Sequence, residues 1–127
     1  MAKQRTPYGF ELIMDLHACD VSTFKRTSLR KYFVKLCKAI DMKRCELYFW
    51  DDYGVPAKEK QSLPNTKGTS AVQFILTSNI TIHTLDSLKA AYVNIFSCKQ
   101  FDRKVAEIIT KEWFGAKKCK THFIERI

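Results

Sequence analysis

Between Ser70 and Cys98 three strand-like segments follow one another almost without a break, roughly Ser70 to Thr77, Asn79 to Thr84 and Ala90 to Cys98. Asn79-Ile80-Thr81-Ile82-His83-Thr84 alternates polar and apolar residues with the period of two that a half-buried strand requires. Links this short join antiparallel neighbours, because a parallel return needs a crossover of roughly a dozen residues. The middle of the chain is therefore expected to be an antiparallel sheet, with a short turn at Leu85 to Ser87. Ala90-Ala91 leaves a helical start to the third segment open.

The flanks supply the rest of the architecture. Phe10 to Leu16 reads as a strand with Leu12, Met14 and Leu16 on one face and Glu11, Ile13 and Asp15 on the other. Asp20 or Ser22 offers a cap for a helix running to about Ile40, with Leu29, Phe33, Leu36 and Ile40 at helical spacing. Cys45 to Trp50 is an aromatic-rich strand, and Asp51 to Gly68, with Gly54, Pro56, Pro64 and Gly68, is a loop. A second helix is expected over Phe101 to Phe114, with Phe101, Val105, Ile108 and Ile109 inward and Gly115 as its stop. Lys117 to Ile127 closes as a basic strand. The order predicts an α+β two-layer sandwich, an antiparallel sheet with two helices on one face, as a single domain over residues 1–127. The bare sheet face needs a cover, and a second copy in an αββα homodimer is the simplest one.

At 127 residues, with 46% hydrophobic and 28% charged residues, the chain can bury one core and is neither disordered nor fibrous. The net charge of +9 raises the question of a nucleic-acid partner. Much of it, however, lies at Lys25, Arg26, Arg30, Lys31, Lys35 and Lys38 around one amphipathic helix, the pattern of a solvated exterior. A basic RNA-binding module is the alternative from another class. Its aromatic RNA-recognition motif is missing, and Phe74 and Phe96 are expected in the sheet core, so no nucleic-acid partner is expected. Cys19, Cys37, Cys45, Cys98 and Cys119 show neither metal-ligand spacing nor a disulfide framework. No run approaches the roughly 18 apolar residues of a membrane helix, and the polar start Met1 to Pro7 does not read as a signal peptide. The expected setting is the reducing cytoplasm.

The densest polar cluster is Ser78, His83 and Cys98. Each has a plain reading alone: a turn serine, a core histidine, a small apolar cysteine. Their meeting on adjacent strands points to a site without identifying a reaction.

Ser78-Asn79-Ile80-Thr81-Ile82-His83-Thr84, then Ala90 through Phe96-Ser97-Cys98, resembles the core of the short bacterial and archaeal S-adenosylmethionine decarboxylases. That family has a serine, then Thr-Ile-His-Thr, then Phe-Thr-Cys at these spacings. The likeness extends to Ser70 and to Leu12-Ile13-Met14-Asp15 with Cys19-Asp20, Asp15 standing where a glutamate is usual. The resemblance implies a self-processing proenzyme. Ser78 would attack the Thr77 carbonyl, and elimination would split the chain into residues 1–77 and 78–127, leaving a covalent pyruvoyl group made from Ser78. Ser70 and His83 would assist. The pyruvoyl cofactor would form a Schiff base with the amine of a small amino-acid-type substrate and take up electrons on loss of CO2. Cys98 would return the proton as general acid. The implied role is spermidine biosynthesis.

The sequence departs from the family pattern at Thr77, where glutamate is usual, and at Asn79, where histidine is common. Ser87, beside Asp86, stands where a glutamate holds the ribose hydroxyls. Residues 62–69 lack the aromatic that stacks on adenine, although Phe49, Trp50 and Tyr53 are nearby. These departures fall on nucleoside recognition, which keeps arginine or ornithine open as alternative substrates. Glu11, Asp15 or Asp86 could then pair with the cationic end. A non-processing relative retained as a partner subunit is a further alternative.

Overall fold

In the computed structural model, which describes residues 6–127, β1 (Gly9–His17) lies inside the sheet and not at its edge. It pairs antiparallel with β5 (Ala90–Ser97) on one side and β6 (Lys118–Arg126) on the other. Residues 1–5, read from the sequence as part of a polar start, lie outside the described ones. β2 (Arg44–Trp50), β3 (Gly68–Ile75) and β4 (Ser78–Leu85) complete the six-stranded order β2-β3-β4-β5-β1-β6, antiparallel throughout. The meander expected between residues 70 and 98 is present, and Ala90-Ala91 belongs to a strand.

Alternation decides which face is covered. Leu12, Met14 and Leu16 of β1, Ile80 and Ile82 of β4, and Val93 and Ile95 of β5 all point under the helices and are buried. Helix α1 (Arg26–Ala39) lays Leu29, Tyr32, Phe33 and Leu36 on that surface. Helix α2 (Arg103–Trp113) adds Ala106 and Thr110. The two helices are joined inside the core by a 2.7 Å hydrogen bond between the Tyr32 and Thr110 hydroxyls. That bond gives both buried hydroxyls a partner, without which each would cost about 1–3 kcal/mol.

Several sequence expectations are corrected. Asp20 does cap, but what it caps is a 3-10 turn, Val21–Phe24, through its carboxylate and the Ser22 amide at 3.0 Å. α1 starts only at Arg26, and its cap residue, Lys25, has no side-chain cap bond. α2 begins at Arg103, behind Asp102, whose carboxylate accepts from the Val105 amide at 3.1 Å. Ile108 is 55% exposed, so the inward face of α2 runs through Ala106 and Thr110 alongside Val105 and Ile109. Phe74 and Phe96 are on the bare face of the sheet and not in the core, because their strand parity is opposite to that of Ile75 and Ile95. Gly115 stops α2 at φ 58°, as expected. Gly68 opens β3 where a Cβ would run into the Thr84 carbonyl.

Among the described residues nothing covers the second face, and Tyr48, Trp50, Phe74 and Ile124 are exposed on it. No helix among the described residues is long and apolar enough to cross a membrane. Leu36→Ala is expected to cost about 2–5 kcal/mol in urea unfolding, whereas Ile108→Ala should stay within about 0.5 kcal/mol. A large loss at Ile108 would contradict the face assigned to α2.

Candidate active site

β3 runs into β4 through Leu76 and Thr77 alone, with Ile75 opposite Ser78. Such short hairpin links favour glycine or asparagine wherever φ is positive. Here the residue at φ 61° is Thr77, β-branched and thus poorly suited to the left-handed region. A residue held there costs on the order of 1–3 kcal/mol and persists only if its surroundings hold it.

Cys98, just past the end of β5, supplies contacts on both sides of the 77–78 peptide bond. Its amide donates to Ser78 Oγ at 3.2 Å, and its Sγ lies 3.1 Å from Thr77 Oγ1. Thr77 Oγ1 in turn donates to the Leu76 carbonyl at 2.7 Å. Ser78 is buried, whereas Thr77 and Cys98 are exposed. Hydrogen bonding to Thr77 pulls the Cys98 thiol below its ordinary value, with Ser78 and the Cys98 amide acting the same way against desolvation. The buried thiols go the other way: burial pushes both Cys19 and Cys37 up to about 11. Their stabilisation is complete below the ordinary value of 9.0 and is lost as pH rises through about 11.

Ser70 and His83 form a second cluster. They face each other across β3 and β4, and Ser70 Oγ is 2.8 Å from His83 Nδ1. The same register sets Trp50 beside Ser70, Tyr92 beside His83, and Asp15 beside Tyr92, all in one row on the bare face. Trp50, Ser70, His83 and Tyr92 line a cleft of about 510 Å³, closed on one side by Gln61 and Asn65 of the long loop. Of the three aromatics near the loop, Trp50 alone faces this cleft. Phe49 and Tyr53 lie against the Arg26 guanidinium at 5.3 and 5.0 Å. Arg26 also grips Asp51 through two bonds of 2.7 and 2.6 Å, which hold that carboxyl below the usual carboxylate range.

The two clusters do not meet within one chain. Five steps along an extended strand lead from Ser78 to His83, roughly 17 Å at the usual rise, and the two side chains leave opposite faces of β4. Thr77, Ser78 and Cys98 are together at one end of the sheet, and Ser70 and His83 are together at the other.

The acidic candidates divide as well. Glu11 is committed: its Oε1 accepts from Arg126 at 2.8 Å and its Oε2 from Asn94 at 3.0 Å. Asp15 is on the bare face between Tyr92 and Lys120. Asp86 and Ser87 are exposed in the turn after β4, at the Ser70–His83 end. Sequence reasoning missed Tyr92 and the Arg26–Asp51 clamp. The strand pairing that places Tyr92 opposite His83 would have located the first; no local signal marks the second.

The buried Ser78 hydroxyl and the exposed Cys98 thiol thus flank the 77–78 peptide bond next to a left-handed residue, on a two-layer α+β frame. The profile of the S-adenosylmethionine decarboxylase family matches residues 10–127, and the chain belongs to that family of decarboxylases. Among solved structures, the crystal structure of the adenosylmethionine decarboxylase from Aquifex aeolicus VF5 is similar, with a TM-score of 0.74 at 18% identity. The match covers 96% of this chain and 92% of that one and shows a shared fold. No curated protein matches the chain.

Cys98 is expected to alkylate readily in the folded protein near neutral pH, with Cys19 and Cys37 labelling only on denaturation. Peptide masses after iodoacetamide treatment check this, and early labelling of Cys19 or Cys37 would contradict it.

Proposed function

We propose that the chain is a self-cleaving proenzyme whose mature form decarboxylates S-adenosylmethionine for polyamine synthesis. The observation that carries this reading is Ser78 Oγ, held by the Cys98 amide immediately after the left-handed Thr77. Ser78 Oγ adds to the Thr77 carbonyl carbon, and the 77–78 C–N bond breaks as the amine takes up the hydroxyl proton. Loss of the Ser78 Cα proton and of the Cβ–O bond then releases Thr77 as a carboxylate. Tautomerisation and attack by water expel ammonia and leave a pyruvoyl group at residue 78. The fit of that group rests on this junction: a hydroxyl in place, a left-handed residue before it and a thiol within reach.

The pyruvoyl carbonyl supplies an electrophile that captures the substrate amine and accepts electrons as CO2 leaves. The chain's own residues do the remaining work. Cys98 donates a proton at the carbon that lost CO2. Ser70 and His83 assist the proton transfers of cleavage, and their distance from Ser78 within one chain supports supply by a second copy. Two bare sheet faces stacked with opposed strand directions would bring the Ser70–His83 end of one copy to the Ser78 end of the other. The stacking would also cover Tyr48, Trp50, Phe74 and Ile124, which are exposed in the single chain. Trp50 and Tyr92 line the cleft beside the Ser70–His83 pair and provide aromatic surface for the substrate.

Two outcomes test this reading. Ser78→Ala and His83→Ala chains, each uncut alone, should yield fragments of the His83→Ala chain when refolded together. No cutting in the mixture would contradict the exchange of residues between copies. Carboxyl-labelled S-adenosylmethionine should release CO2 in preference to arginine or ornithine, and the reverse order would overturn the substrate.

A further inference from the structure

Thr77 touches the sulfur of Cys98, and no step of the cleavage described above uses that contact. A hydroxyl has one proton to give, and Thr77 gives it to the Leu76 carbonyl at 2.7 Å. With the thiol protonated, the 3.1 Å contact is therefore an S–H donating to Thr77 Oγ1. With the thiol ionised, Thr77 must turn its proton from the Leu76 carbonyl to the sulfur. Cys98 thus reads the side chain on the N-terminal side of the 77–78 bond through its sulfur, and the side chain on the C-terminal side through its amide. Both partners exist in this form only while the bond is whole.

We propose that Thr77 is a positioning residue that holds the Cys98 thiol at the junction of the uncleaved chain and releases it when the bond is cut. The inference rests on the reading of 77–78 as the cleaved bond. Cleavage turns Thr77 into a chain end bearing a carboxylate, and Ser78 loses its hydroxyl oxygen. The Ser78 hydroxyl is then gone, Thr77 is no longer tethered to the junction that sets its 3.1 Å contact, and a negative charge is created nearby. Each change favours the protonated thiol, the form required to donate a proton after loss of CO2. The one charged neighbour in sequence does not compensate: Lys99 spends its ammonium on the Asp41 carbonyl and carboxylate, at 2.7 and 2.9 Å. Cutting the bond would make the electrophile and also free the acid that works beside it.

The test follows the rate of iodoacetamide alkylation of Cys98 against pH, read by peptide mass so that the exposed Cys45 is resolved from it. In the uncleavable Ser78→Ala chain, Thr77→Val should slow alkylation near neutral pH by about two- to tenfold, the span of one net hydrogen bond. Thr77→Ser should restore the original profile. An unchanged profile in Thr77→Val, or failure of serine to restore it, would overturn the proposal. A second arm compares the cleaved protein with the Ser78→Ala chain, and the cleaved form should alkylate at higher pH. If the native sequence never cleaves, the reading of the junction falls, while the valine and serine variants still decide the contact.

Discussion

The link of two residues between β3 and β4 sets the geometry on which both clusters depend. With Ile75 opposite Ser78, every later pair in the ladder follows, down to Ser70 opposite His83. A slip of one residue would move His83 to the helix-covered face and Ser78 to the bare one, because side chains alternate along a strand. The link is short enough to force Thr77 to φ 61°, and the same shortness brings Ser78 under the Cys98 amide. Strain, register and the hydroxyl–thiol junction thus share one cause.

Much of this was legible from residues alone. The alternation of Asn79 to Thr84 and the pairs of apolar residues spaced three and four apart between Leu29 and Ile40 each correspond to an element of the fold. Alternation reports parity but not which parity is covered, so Phe74 and Phe96 were expected inside and lie outside. At Ile108 an apolar residue at helical spacing lies at the edge of the stripe, and the smaller Ala106 takes the contact with the sheet. The cap at Asp20 was legible, but that it opens a short 3-10 turn ending at the buried Phe24 was not. Nothing in a threonine announces a left-handed backbone, so the strain at Thr77 comes from chain closure and not from residue type. The grouping of Ser78, His83 and Cys98 by motif concealed their separation, which strand rise alone sets at roughly 17 Å between the first two.

The charge of the chain follows the same division into two layers. α1 carries Arg30, Lys31, Lys35 and Lys38 on its exposed side, away from the bare sheet face. Its first residue, Arg26, turns back instead to hold Asp51 and so anchors the start of the loop that closes the Trp50 cleft. The bare face mixes aromatic rings with Glu11, Asp15 and Lys120, the face that the proposed second copy would cover.

The central claim is that the Thr77–Ser78 bond breaks by the action of the protein on itself. The most direct measurement is the intact mass of the purified chain under denaturing conditions, with N-terminal analysis of each species. The account predicts two chains, residues 1–77 and 78–127, the second beginning with a blocked residue that has lost its amine. A single chain of 127 residues that stays whole on prolonged incubation would contradict it.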